Sequence, residues 1–178
     1  MTTSRHVAVT VIGNDRPGIV VAVTRTLYEA GCNLEDVTST ILRGHFAMML
    51  FVRVPDGVDA QALEARLESV SEQMNLVITS RAVEEAVVEV APPTHMVSVY
   101  GSDRPGIVYR VAEMLAQNGA NVTDLTSRVI GSEEHPVYAL MLEVSLSGNS
   151  EEVERDLSTL KSELGVEITV RPLETDLL

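Results

Sequence analysis

The chain has 178 residues, 45% hydrophobic and 3% aromatic with no Trp, so its core must be built from Val, Leu, Ile, Met and Ala, and global disorder is disfavoured. The net charge of −13 is spread over both halves, with seven Arg against twelve acids in 1–90 and six Lys and Arg against fourteen acids in 91–178; no basic stripe exists, which disfavours direct nucleic-acid binding. A single cysteine, Cys32, excludes an intrachain disulfide, Met1–His6 lacks the apolar core of a signal peptide, and no apolar run approaches the roughly 18–20 residues of a membrane span, so a cytoplasmic protein without a membrane partner is expected.

In chain order, His6–Gly13 alternates and is rich in Val and Ile, which predicts a strand. Asn14–Arg16 reads as a turn. Pro17 suits the first turn of a helix, where its missing N–H costs nothing. Ile19, Val20, Val23, Leu27 and Ala30 mark one helical face, and Gly31 supplies the stop. Asn33–Leu42 and His45–Pro55 predict a hairpin around Arg43-Gly44. Leu63, Leu67, Val70 and Met74 then space out a second helix, and Leu76–Val83 a closing strand.

The same order then repeats. Val9–Asp36 reads VTVIGNDRPGIVVAVTRTLYEAGCNLED, and Val97–Asp124 reads VSVYGSDRPGIVYRVAEMLAQNGANVTD. Gly13 recurs as Gly101, an offset of 88 (101 less 13). Past the first helix the second copy has a longer hairpin tip, Gly131–Pro136, so Phe46 aligns with Tyr138 at an offset of 92 (138 less 46). Val153, Leu157, Leu160 and Leu164 repeat the second helix, and Val166–Leu173 the last strand. The seam falls near Glu89–Thr94, where Ala91-Pro92-Pro93 is stiff. Two domains are expected, 1–90 and 91–178. Each is α+β, a βαββαβ unit with an antiparallel four-stranded sheet and two helices on one face, the ferredoxin-like arrangement. Such a unit leaves one sheet face and an edge strand to cover, which pairing of copies or of chains would do.

The turns Gly13–Gly18 and Gly101–Gly106 are the most informative segments. Each opens a helix whose free N–H groups and partial positive charge can receive a carboxylate. Gly18 and Gly106 lack a Cβ, so a ligand can approach their backbone. Asp15 and Asp103 can cap the helix or meet a ligand ammonium group. The alternative is a purely structural turn, since Asp, Pro and Gly suit any strand-to-helix connection. Asn33 and Asn121 leave two readings open. Their amides can hold an amino-acid backbone, or they serve a left-handed turn after the helix.

No catalytic set stands out. Gly13 to Gly18 has phosphate-loop spacing without the Lys-Ser/Thr that should follow. His6, His45, His95 and His135 are scattered and do not correspond between copies, so no metal or cofactor is expected. Cys32 becomes Ala120 in the second copy, which suits small packing. Glu84-Glu85 and Glu151-Glu152 read as a solvated linker and a helix start.

DRPGIV after an alternating strand, then a helix ending in Gly-x-Asn, then a hairpin, resembles the ACT domain, once per half. Two such domains with nothing else resemble the glycine cleavage system transcriptional repressor family. The resemblance implies regulatory modules that bind amino acids, often between paired domains, through Asn14, Asp15, Arg16, Pro17, Gly18, Ile19 and Asn33 in the first copy. In the second it implies Ser102, Asp103, Arg104, Pro105, Gly106, Ile107 and Asn121. It further implies a homo-oligomer that is not an enzyme and that signals to a regulatory protein partner. The competing expectation is a ligand-independent adaptor in which the loops are only structural. Ser102 in place of Asn14, and the unequal hairpin tips, leave open two sites of different affinity or ligand, or one site that stays empty.

Overall fold

The computed structural model describes residues 5–83, 91–132, 134–148 and 150–173, with the His135 side chain outside that description. The acids Glu84 and Glu85, and Glu89 and Val90 of the expected seam, lie outside the described residues. The chain divides into two compact units, Met1–Val88 and Glu89–Leu178.

In the first unit the order is β1 (Arg5–Asn14), α1 (Ile19–Glu29), β2 (Asn33–Leu42), β3 (His45–Val54), α2 (Ala60–Met74) and β4 (Leu76–Val83). In the second it is β5 (His95–Gly101), α3 (Ile107–Gln117), β6 (Asn121–Ser132), β7 (His135–Ser145), α4 (Ser150–Leu164) and β8 (Val166–Pro172). The sheet orders are β2-β3-β1-β4 and β6-β7-β5-β8, with every pairing antiparallel. These are two tandem ferredoxin-like α+β units.

Period-two alternation sends Val7, Val9 and Val11 of β1 and Met48, Leu50 and Val52 of β3 to the helix side, where all are buried. Ile19, Val23 and Leu27 of α1, spaced four apart, meet them with Leu63 and Leu67 of α2. The second unit repeats the scheme with Val97 and Val99, Leu140, Leu142 and Val144, then Ile107, Val111 and Leu115, and Val153, Leu157 and Leu160. Each fully buried Val, Leu or Ile contributes about 1.5–3 kcal/mol.

The connections follow local chemistry. Arg43 and Gly44 both have positive φ, 50° and 80°, the two-residue hairpin geometry that matches strand twist. The first helix of each unit ends in one motif. The N–H groups of Gly31 and Cys32 donate to the carbonyls of Tyr28 and Leu27, and those of Gly119 and Ala120 to Ala116 and Leu115. The longer second hairpin is mostly ladder rather than loop, since Gly131 pairs with Pro136 and Ser132 with His135.

Candidate functional site

The expected loops are exposed at the same end of each unit. Asn14 closes β1 opposite His45, and the Asp15 N–H donates to the Gly44 carbonyl at 2.8 Å, tying the first loop to the hairpin tip. The helices begin later than the prolines suggest. Gly18 and Gly106 are the N-caps, so Pro17 and Pro105 lie in the preceding turns, outside the helices. The cause is φ of 96° and 92° at the two glycines, a left-handed conformation that stops the helix from extending backwards.

Asp15 and Asp103 do not cap. Neither N-cap receives a side-chain hydrogen bond, and no acidic residue occupies the first turn of α1 or α3. The other two helices are compensated: the Asp59 carboxylate accepts from the Gln61 N–H at 3.0 Å, and α4 starts with Glu151 and Glu152. The positive ends of α1 and α3 therefore face the exposed loops unneutralised, with Asn14, Asp15, Ser102 and Asp103 exposed beside them.

Three of the expected site residues in each unit have structural duties. Ile19 and Ile107 are buried in the cores, leaving only their backbone N–H groups to the loop. The Arg16 guanidinium reaches 3.4 Å to the Gln73 carbonyl, and that of Arg104 reaches 3.4 Å to the Leu164 carbonyl. Both cations thus sit at the C-terminal end of the second helix of their unit, where the dipole favours them. Gly18 and Gly106 are required by φ alone. Gly18→Ala and Gly106→Ala are each expected to cost about 1–2 kcal/mol by that strain, readable as a lower midpoint in urea without any ligand present.

Asn33 and Asn121 stand at the opposite end of the sheet. Asn33 pairs with Arg53, which also pairs with His6, whereas the loop follows Gly13, which pairs with Phe46. Seven strand residues at about 3.3 Å each separate the two ends by roughly 23 Å. The left-handed turn is made by Gly31 and Gly119, at φ 76° and 69°, so the asparagines begin strands and do not serve that turn.

Beside Asn33 lies a cluster that residue spacing does not show. The register of β2 slips between Leu34 and Asp36, making Glu35 a bulge residue. Its carboxylate meets Arg53 Nε at 2.9 Å and His6 Nε2 at 3.2 Å, and the buried His6 ring stacks on Phe51 with centroids 5.2 Å apart. The second unit has the same bulge without the charge: Thr123 donates to the Glu143 carbonyl and Thr94 accepts from the Leu146 N–H. Matched substitution of His6, Glu35 and Arg53 by Thr94, Thr123 and Ser145 is the one trace of this in the sequence.

Burial pushes the Cys32 thiol above its ordinary range, with the charge of Arg5 acting in the opposite direction. Among the described residues, no group of three or more His, Cys, Asp or Glu could hold a metal ion, and no helix is long and apolar enough to cross a membrane.

Fold and loops together define a tandem ferredoxin-like protein whose two units carry the same strand-to-helix turn. The chain belongs to the ACT domain family, which it matches over residues 5–80 and 94–171. It is 22% identical over 171 residues to the glycine cleavage system transcriptional repressor of Escherichia coli K12, covering 94% of this chain and 90% of that one. A UPF0237 protein of Streptococcus mutans is 37% identical over 70 residues, 39% of this chain and 80% of that protein. The crystal structure of a protein of unknown function from Galdieria sulphuraria superposes with a TM-score of 0.79 at 27% identity, covering 96% of this chain and 99% of that one.

Proposed function

We propose that this chain is a cytoplasmic, non-enzymatic sensor of a small amino acid that signals to a regulatory protein partner in the transcriptional control of glycine metabolism. The observation that carries this reading is the pair of uncompensated helix N-termini, each opening from an exposed Gly-Asn/Ser-Asp turn. The ligand carboxylate docks on the N–H groups at Gly18–Ile19 or Gly106–Ile107. Its ammonium group meets Asp15 or Asp103, aided by Asn14 or Ser102. Asn33 and Asn121 are too far away to serve the loop of their own unit, so in this reading they reach a ligand held on a loop of a partner chain. The whole-length likeness to the Escherichia coli repressor supports the regulatory role. Ligand can shift such a regulator only through different affinities for its two states.

Isothermal titration calorimetry of the full chain, with glycine and serine first among the amino acids, tests the reading. Saturable binding is expected, weakened at least about tenfold in Asp15→Asn/Asp103→Asn through loss of a charge-assisted bond. These substitutions keep the backbone intact, which the glycine variants do not. Binding that survives them unchanged removes the loops from the site. Silence across the whole panel favours the ligand-independent adaptor.

A further inference from the structure

The first unit has an outer sheet face, turned away from both helices, on which Ile12, Met49 and Val77 are each more than half exposed. The pairing register sets that face out in rows across β4, β1, β3 and β2. One row is Arg81, Ala8, Phe51 and Asp36; the next is Thr79, Thr10, Met49 and Thr38; the third is Val77, Ile12, Ala47 and Thr40. A hollow of about 250 Å³ lies over Ala47, with Ile12, Thr40 and Met49 among its walls. The hydroxyls of Thr10 and Thr79 bond to one another, so covering them costs little. The three rows carry two charges, Arg81 and Asp36, on opposite edge strands. Neither has an ion-pair partner among the described residues.

We propose that the first units of two copies of this chain associate face to face through these rows, about a two-fold axis that runs along the strands between β1 and β3. Each row then meets itself reversed. Arg81 faces Asp36 of the other copy and Asp36 faces its Arg81, so an ion pair closes each rim. Phe51 faces Ala8, Met49 faces Thr10, and Ile12 faces Ala47, whose hollow receives it. A large side chain thus meets a small one at every position of the two central strands, the interdigitation that aligned sheets about 10 Å apart require.

A two-fold axis across the strands would instead set Arg81 against Val77 and Asp36 against Thr40, covering both charges without pairing them. The second unit is not an equal substitute. There Glu143 stands where the first unit has Phe51, paired with Met96 on the central strand β5, and any cover takes its carboxylate out of water. Strands of up to ten residues, four of them about 4.8 Å apart, give a face of roughly 600 Å², or about 1,200 Å² over two copies, the lower end for a specific interface. The dimer is therefore a reversible one. It needs one unit from each chain and no ligand.

Sedimentation velocity of the ligand-free full chain over a range of concentrations tests the proposal, with circular dichroism confirming that each variant is folded. A concentration-dependent dimer is expected. Arg81→Asp and Asp36→Arg each place two like-charged pairs in the interface and should raise its Kd by on the order of tenfold. The double variant restores both pairs in reverse and should return the Kd toward wild type. That rescue is specific to first unit against first unit. Against the second unit Arg81 would meet Asp124 and Asp36 would meet Arg171, so the double variant would keep both clashes. A monomer at every concentration overturns the proposal. So does a dimer indifferent to the single variants, which must form through another surface, and so does a double variant as weak as the singles.

Discussion

Leu27→Ala lowers the stability of the first unit by about 2–5 kcal/mol, and Leu115→Ala does the same to the second, whereas Tyr28→Ala, one residue further on, stays within about 0.5 kcal/mol. Leu27 and Leu115 are fully buried, while Tyr28 is 80% exposed. Leu27 ends the stripe Ile19-Val23-Leu27, which lies against the inward valines of β1 and the inward side chains of β3. Truncation removes contacts that water cannot replace, and the surrounding strands, held by two ladders each, close the gap only in part. Hydrogen exchange is the suitable readout, because a two-unit chain need not unfold in one transition. Protection should fall in β1, β3 and α1 for Leu27→Ala, and in β5, β7 and α3 for Leu115→Ala. A larger loss from Tyr28→Ala than from Leu27→Ala would mean that the exposed side of α1, not the buried stripe, holds the unit together. Leu27 also precedes the turn at Gly31, so its loss loosens the start of β2, where Asn33 stands.

The elements were legible because each is written in its own period. Asn33–Leu42 and Leu76–Val83 are strands over the spans that their alternation predicts, and the closing strands sit where the helix spacing ends. Repetition added the topology, since the two halves share one order of elements. What was not legible depends on backbone conformation or on residues distant in the chain. Pro17 looks like a helix start, yet Gly18 adopts a left-handed φ that no residue count reports. Asp15 looks like a cap, but Gly18 takes the N-cap position and no side-chain hydrogen bond caps α1. The bulges at Glu35 and Thr123 change the facing of one residue without disturbing the pattern on either side. The resemblance places Asn33 with the loop, but the eleven residues of α1 carry the chain back along the sheet to its opposite end. The bond from Arg16 to the end of α2 spans 57 residues of sequence, and no local pattern reports it.

The remaining large effect separates the packing use of a loop glycine from a ligand use. Gly13 and Gly101 open the two turns, and both lie hard against the first residue of the closing strand. A Cβ on Gly101 would stand 2.7 Å from Val166 Cγ1 and 3.2 Å from its Cα, and one on Gly13 would stand 2.5 Å from Leu76 Cδ2 and 3.4 Å from its Cα. Gly101→Ala should therefore cost about 1–3 kcal/mol by overpacking. Gly13→Ala should cost less despite the shorter contact. The difference lies in the neighbour: both sites meet backbone, the Asn75 carbonyl oxygen at 3.3 Å from a Cβ on Gly13 and the Val166 Cα at 3.2 Å from one on Gly101, but the end of the Leu76 side chain can turn about two bonds, whereas Val166 is branched at Cβ, restricted at χ1, and also presents its Cβ at 3.2 Å. Urea unfolding of Gly101→Ala, Val166→Ala and the double variant gives the coupling directly, and the double variant should be more stable than the two single losses add up to. Additive losses would show that the alanine methyl does not press on Val166. Gly101 would then have no packing duty, and its lack of a side chain would have to be explained by what approaches the turn from outside. A strong coupling places the glycine on the side of the fold: it lets β5 and β8 close together, which sets where the following turn, with Ser102 and Asp103, emerges from the sheet.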